Sequence, residues 1–252
     1  MEYPLLDVRA QREFAAGHAA GAVNIPLAEL LLRMHELPEK GSRLGVFHDS
    51  AVELARAIAL LQGRGYSAVA RSGGDLSETG ASSQFLWRPS PLLVEFVPAA
   101  PGRAVDLACG SGQEAVYLAR RGWQVDAVDI LPDALARASD LAGRSGVSIR
   151  TVRHDLTTGI PLGQGKYDLV MMFRYLHRPL VAAAAELLRP GARLIVETFH
   201  VSDAADAMRD RRKLMADGEL ARLVETSCRV LVARDGVERN GRRYSQVVAE
   251  RR

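Results

Sequence analysis

The chain has 252 residues, of which 48% are hydrophobic and 25% charged, a composition typical of globular proteins and not of disordered ones. Its apolar runs, such as residues 180–188, are far shorter than the roughly 20 residues of a membrane span, and its N-terminus does not resemble a signal peptide. The formal net charge is +3, and 30 of the 33 basic residues are arginines scattered among acids, a pattern that does not indicate a nucleic-acid-binding face. We therefore expect a cytoplasmic protein without a membrane partner, and a nucleic acid is only a minor alternative as its partner.

The first part of the chain alternates short apolar strands with helices. Alternation of this kind predicts a parallel sheet. The predicted strands are 4–8, one before residue 27, 44–47 and one near residue 68, and the predicted helices are a short one after residue 8, 27–36 and 51–63.

A segment rich in Gly, Ser and Pro then interrupts both periodicities, as linkers do. We expect three parts: a first domain over 1–75, a linker over 76–91 and a second domain over 92–252.

The second domain begins with a clean alternation of strands and helices that predicts a parallel sheet covered on both faces. It ends with "RVLVARDG" and "RRYSQVVAERR", which flank the turn signal "VERNG". This pattern predicts an antiparallel hairpin at the edge of the sheet.

The most informative stretch is "VDLACGSGQEA", in which Gly110 and Gly112 lie between a strand and a helix. Glycines at this place let a ligand approach the backbone and the free N–H groups of the helix. Asp129 ends the next strand, 19 residues after Gly110, the spacing at which an acid commonly binds the hydroxyls of a ribose. The stretch therefore predicts a cofactor that contains adenosine.

Two cofactors fit these glycines. A nicotinamide dinucleotide is one, but Asp106 would place a carboxylate beside its pyrophosphate, which is electrostatically unfavourable. S-adenosylmethionine (SAM) carries a sulfonium and an ammonium instead, and both are attracted to an acid.

The glycine motif and the terminal hairpin together resemble class I SAM-dependent methyltransferases, whose first motif is an acid, small residues and Gly-x-Gly, and whose seventh strand is antiparallel. The resemblance covers about 92–252 and implies an α/β fold with a doubly wound, Rossmann-like sheet. By this resemblance Asp106, Gly110 and Gly112 surround the methionine part of SAM, Asp129 holds the ribose, and Asp155, after His154, accepts from the adenine amino group. The alternative interpretation is that Asp155 caps a helix or stabilises a turn.

The segment "FRYLHRPL" follows a strand at the edge where this family brings the methyl acceptor. Arg174, His177 and Arg178 are the candidate catalytic residues, because they could orient an anionic acceptor or, with a neutral His177, remove a proton. Alternatively, Arg174 and Arg178 are solvated or ion-paired residues at the start of a helix, and His177 caps that helix. Glu197 and His200 lie at the end of the next strand and are weaker candidates.

The expected acceptor is a small molecule. The Asn/Asp-Pro-Pro-aromatic motif of methyltransferases that modify amino groups is absent here. The segment resembles the tellurite-resistance and thiopurine branch of the family, which favours a thiol or chalcogen acceptor. No metal is expected, because Cys109 and Cys228 are too few for a thiolate cluster or a disulfide framework.

The first domain resembles rhodanese-like domains, through "LLDVRAQREFAAGHAAGAVNIPL" and "GVFHDSAVELARAIALLQGRGY". In this alignment His48 stands where the family has its persulfide-forming cysteine, and residues 1–100 contain no cysteine. Imidazole cannot carry a persulfide, so the resemblance implies an inactive domain. The chain begins at this family's Asp-Val-Arg strand, so we expect either a trimmed domain or a start further upstream.

The sequence thus predicts a SAM-dependent methyltransferase acting on a small molecule, with a non-catalytic rhodanese-like domain. An NAD(P)-linked oxidoreductase that uses the same glycine loop and a non-enzymatic scaffold or sensor are the alternatives. The oligomeric state stays open.

Overall fold

The computed structural model describes residues 3–72, 74–80, 85–201, 214–239 and 241–252. The chain divides into two compact units, Met1–Arg88 and Pro89–Arg252. No helix in the described part is long and apolar enough to cross a membrane.

The first unit contains a sheet in which, among the described residues, four parallel strands follow the order β2-β1-β3-β4. Its elements are β1 (Leu5–Asp7), α1 (Gln11–Ala16), β2 (Ala22–Asn24), β3 (Arg43–Phe47), α2 (Ala51–Gln62) and β4 (Ser67–Ala70). Leu6, Val46 and Leu61 are buried together in its core. The alternation of strands and helices in the sequence predicted this parallel sheet.

The helix predicted over 27–36 is wrong. The chain forms successive turns there and then a short 3-10 helix, Met34–Glu36. A regular helix would put Leu27, Leu30 and Leu31 on one face, yet Leu30 is buried while Leu31 is half exposed. Arg33 closes the turns by binding the carboxylates of Glu29 and Glu36.

Part of the expected linker is bonded to the first unit. Glu78 forms a β-bridge with His18, and Leu86 packs into the core of this unit. The structure therefore includes residues up to Arg88 in the first unit.

The second unit contains a sheet in which seven strands of the described residues follow the order β10-β11-β9-β8-β5-β6-β7. The strands are β5 (Arg103–Leu107), β6 (Gln124–Asp129), β7 (Arg150–Arg153), β8 (Tyr167–Phe173), β9 (Leu188–Phe199), β10 (Cys228–Arg239) and β11 (Arg242–Arg251). The helices are α3 (Pro91–Phe96), α4 (Gln113–Ala119), α5 (Pro132–Arg144), α6 (Arg178–Ala184) and α7 (Glu219–Val224).

The predicted doubly wound sheet and its antiparallel hairpin are confirmed. Strands β5 to β9 pair in parallel, whereas β11 pairs antiparallel with both β9 and β10. From β5 the chain builds outward to β6 and β7, and then crosses to the other side of β5 to form β8 and β9. Such a reversal opens a crevice beyond the carboxyl ends of β5 and β8.

A polar contact joins three of these strands. The guanidinium of Arg150 in β7 donates two hydrogen bonds of 2.7 Å to Asp126 in β6, and the Tyr167 hydroxyl of β8 donates to the same carboxylate. Burial, followed by this bond to Asp126, raises the pKa of Tyr167 to about 12. The contact is satisfied within the sheet and therefore has a structural role.

Candidate active site

The glycine loop lies in the crevice between β5 and β8. A cavity of about 330 Å³ opens there. It is lined by Asp106, Ala108, Cys109, Gly110, Ser111, Gln113, Glu114, Phe173 and Arg174. The sequence motif and the end of β8 therefore meet at one cavity.

The two glycines serve different purposes. Both have left-handed backbones, with φ +55° at Gly110 and +74° at Gly112. A Cβ added at Gly110 would meet no described atom within 4 Å, whereas one at Gly112 would lie 2.6 Å from the Cβ of Ala138. Gly110 thus leaves the backbone open to a ligand, and Gly112 lets α4 pack closely on α5.

Asp129, the predicted ribose-binding acid, lies beside the loop. Its two carboxylate oxygens accept from the backbone N–H groups of Gly110 and Leu131, each at 2.9 Å. Because a carboxylate oxygen accepts more than one hydrogen bond, both oxygens can still accept from the hydroxyls of a ribose. The ribose-binding role stays a prediction.

Asp106 is a buried carboxylate with an unsatisfied oxygen. The residue is 2% exposed, and its Oδ2 has no hydrogen-bond partner among the described residues. Burial, with the negative charges of Glu114 and Asp129, raises its pKa far above the usual value, although Arg174 opposes this. A buried acid of this kind is stabilised by a cationic partner, so the cavity fits the ammonium or sulfonium of SAM.

Cys109 also lines the cavity but is not an activated thiol. Burial raises its pKa, and the charges of Asp106 and Asp129 add to the shift. The thiol is therefore protonated near neutral pH and is a poor nucleophile.

Arg174 is the predicted catalytic residue that reaches the cavity. Its backbone has φ +60°, which is uncommon for a residue other than glycine. Its N–H donates to the carbonyl of Glu197 at 2.7 Å, and its guanidinium donates to Glu114 at 3.2 Å. Strained backbone at this place is typical of functional sites.

The other two predicted catalytic residues lie at the start of α6. His177 precedes the helix, and its Nδ1 is buried without a hydrogen-bond partner in the described part of the chain. Arg178 donates to Glu219 of α7 at 3.1 Å and to the carbonyl of Leu214 at 3.0 Å. Neither lines the cavity, and their catalytic roles stay predictions.

Asp155 forms a local turn. Its Oδ1 accepts from the Thr157 N–H at 2.9 Å and from the Thr157 hydroxyl at 2.7 Å. These bonds lower the pKa of Asp155, so the carboxylate is charged at neutral pH and can accept a further hydrogen bond. Its predicted role with adenine stays a prediction. Neighbouring His154 places Nε2 3.1 Å from the carbonyl of Gly159.

Glu197 and His200 are held inside the sheet. Glu197 accepts from Arg239 and Gln246, each at 2.7 Å. His200 places Nδ1 2.9 Å from the Ser245 hydroxyl. These contacts give both side chains partners within the protein, and their weaker candidacy for a direct role stays a prediction.

Glu114 lines the cavity but was not predicted from the sequence. This residue is 4% exposed. Helical spacing could have indicated its burial, because Glu114 lies one turn before the buried Leu118 and therefore faces inward.

The loop at His48 in the first unit satisfies its own polar groups. The Ser50 N–H donates to His48 Nδ1 at 2.9 Å, and the Ser50 hydroxyl caps α2. The described residues contain no group of three or more His, Cys, Asp or Glu side chains that could hold a metal ion.

Two family models match the chain. A methyltransferase domain matches residues 104–191, and a rhodanese-like domain matches residues 1–78. The chain joins a rhodanese-like domain to a SAM-dependent methyltransferase domain. Because the matched methyltransferase segment contains the glycine loop, this membership decides against the oxidoreductase alternative, and SAM is the cofactor.

Two relatives match the chain over different lengths. An uncharacterized protein of Schizosaccharomyces pombe is 25% identical over 99% of this chain and 94% of its own length. An uncharacterized methyltransferase of Synechocystis is 32% identical over 43% of this chain, which spans 53% of that relative.

Solved structures share the fold of the methyltransferase domain. TehB from Haemophilus influenzae matches with a TM-score of 0.54 and 16% identity, over 61% of this chain and 59% of TehB. Other structures of this fold include a methyltransferase crystallised with SAM and with sinefungin. At this identity the likeness shows the fold and leaves the acceptor undetermined.

Proposed function

We propose that the methyltransferase domain transfers the methyl group of SAM to a small anionic acceptor, such as a thiolate or a chalcogen oxyanion. One observation carries the proposal: the strained Arg174 presents a guanidinium at the cavity that Asp106 and the glycine loop form. A cation beside the methyl donor attracts and orients an anion.

Three acidic residues would hold the cofactor by complementary chemistry. Asp106 would bind a cationic group of the methionine part, Asp129 the ribose hydroxyls, and Asp155 the adenine amino group. The open face of Gly110 would allow close approach to the backbone. When bound, SAM supplies an electrophilic methyl group on a sulfonium.

The reaction then depends on alignment. Methyl transfer is an in-line displacement, which is accelerated mainly by holding the acceptor close and in line. Arg174 would orient the acceptor's negative charge, and a neutral His177 would accept a proton from an acceptor that arrives protonated. A thiolate or an oxyanion needs little help from a base.

The cytoplasm is the proposed compartment. Both cysteines, Cys109 and Cys228, are buried and unpaired in the structure. Free thiols are typical of a reducing compartment.

The test measures formation of S-adenosylhomocysteine (SAH) by the full chain with a small thiol, selenite, tellurite and a neutral alcohol as acceptors. We expect turnover with an anionic acceptor, and a loss in kcat/KM of about tenfold or more in Arg174→Gln, since a hydrogen bond to a charged group contributes about 1.5–3 kcal/mol. Arg229→Gln, which removes an exposed arginine paired with Glu250, is the matched control. Turnover with the alcohol alone, or equal effects of the two substitutions, would contradict an anionic acceptor.

A further inference from the structure

The Glu114–Arg174 ion pair lines the cavity proposed for the cofactor. Glu114 is buried at the start of α4, whereas the Arg174 side chain is 45% exposed at the end of β8. They are joined by a hydrogen bond of 3.2 Å. Glu114 therefore already has a cation as its partner at the wall of the space that a cationic cofactor would enter.

The backbone of Arg174 is fixed while its side chain has room to move. The N–H of Arg174 is anchored on the carbonyl of Glu197 at 2.7 Å. Long, partly exposed arginine side chains exchange rotamers rapidly. The guanidinium can therefore leave Glu114 without rearrangement of the sheet.

Carboxyl groups outnumber cations around the glycine loop. Asp106, Glu114 and Asp129 lie there, whereas Arg174 pairs with Glu114 and Arg137 donates to Ser111 of the loop at 3.4 Å. Asp106 also has a buried oxygen without a partner in the described part of the chain. The cavity is thus suited to bind a cationic ligand in addition to the guanidinium of Arg174.

Methyl transfer removes one positive charge from the cofactor. The bond between sulfur and the methyl carbon breaks, the acceptor's electron pair forms the new bond to carbon, and the sulfur keeps the electron pair of the broken bond. The sulfonium of SAM becomes the neutral thioether of SAH. A residue that senses this charge can distinguish the donor from the product.

We infer that Glu114 is a specificity residue that favours binding of the charged donor SAM over the neutral product SAH. Arg174 is the counter-ion that pairs with Glu114 once the methyl group has been transferred. This inference rests on the proposed SAM site and deepens it. While SAM is bound, Arg174 is released from Glu114 and is available to the anionic acceptor. After transfer, Arg174 pairs with Glu114 again and SAH leaves more readily.

The test compares the dissociation constants of SAM, sinefungin and SAH for the full chain by isothermal titration calorimetry. Sinefungin carries an amine near the place of the sulfonium and is cationic there. We expect the wild type to bind both cations more tightly than SAH, and Glu114→Gln to reduce this preference about tenfold, in keeping with the loss of one charge-assisted contact. Glu186→Gln, an exposed carboxylate near the opposite end of β8, should keep the wild-type preference.

Arg174→Gln provides an independent readout, because its side chain is partly exposed and its loss does not leave a cavity in the core. Removing the competing cation should tighten binding of SAM and sinefungin and leave SAH nearly unchanged. Unchanged preferences in both Glu114→Gln and Arg174→Gln would overturn the inference while leaving the methyltransferase assignment intact. Failure of the folded wild type to bind any of the three ligands would instead remove the proposed SAM site.

Discussion

At the scale of single residues, the cavity combines groups that are unfavourable for folding but suited to a cationic ligand. Asp106 is buried with an unsatisfied oxygen, and Ala108 and Arg174 both have φ +60°. Strain and unpaired polarity of this kind persist where the surrounding structure holds them in place. The sequence revealed Asp106 through its motif, but neither backbone strain nor the Glu114–Arg174 pair is visible without the fold.

Asp106→Asn should stabilise the ligand-free protein and weaken cofactor binding. Burial raises the pKa of Asp106 above its unfolded value, so ionising it in the folded state costs stability as pH rises, and the cost is absent at pH values below the unfolded pKa. We expect a gain in the free energy of unfolding of about 1 kcal/mol at pH 7. The gain should disappear at about pH 3, where the unfolded carboxyl, with a pKa of about 3.9, is largely protonated.

Urea denaturation of both proteins at the two pH values measures this difference. A loss of stability in Asp106→Asn at pH 7 would show that the ionised carboxylate is well stabilised in the folded state, contrary to this prediction.

At the scale of elements, periodicity predicted most strands and helices because each contributes a regular apolar face to a core. The exceptions have local causes. The segment at 27–36 contains leucines at helical spacing, but Arg33 and its two carboxylate partners close separate turns there. Helix α3 and the extension of β9 back to Leu188 were also not predicted. Proline at the start of α3, and proline and glycine within β9, interrupt the hydrophobic periodicity there.

The two glycines of the loop should respond differently to alanine. Gly110→Ala adds a methyl group in open space, so we expect a loss in the free energy of unfolding of only about 1–2 kcal/mol from its left-handed backbone, together with weakened SAH binding. Gly112→Ala adds a clash with Ala138 in α5, and overpacking should bring its loss to about 3 kcal/mol. Thermal unfolding and calorimetric titration with SAH measure both effects, and the reverse order of stabilities would contradict the assigned roles.

At the scale of the whole molecule, one unit contains the glycine-loop cavity and the other has no cysteine to act as a nucleophile. The parallel sheet of the second unit and its antiparallel edge followed from the alternation of elements and the terminal hairpin, and the glycine motif located its cavity, whereas the strand order came from the structure. The acceptor could not be predicted, because alignment of the acceptor imposes few requirements on residue type. The three parts expected along the sequence stay a proposal, and the structure itself divides the chain after Arg88.

The rhodanese-like domain should not transfer sulfur. Its loop presents His48, and no residue of the unit is a cysteine, so a persulfide cannot form there. We expect no thiosulfate:cyanide sulfurtransferase activity from the full chain and none from His48→Ala. Activity in the wild type that disappears in His48→Ala would contradict an inactive domain.

Calorimetric titration of SAH into the full chain tests whether the glycine-loop cavity binds SAM with Asp129 on the ribose. The variants are Asp129→Asn and, as a charge-matched control, Asp140→Asn on the exposed face of α5. We predict saturable binding of one SAH per chain by the wild type and the control, and binding at least about tenfold weaker in Asp129→Asn, given the value of hydrogen bonds to a charged group. No binding to the correctly folded wild type, or equal affinity in Asp129→Asn, would contradict the account.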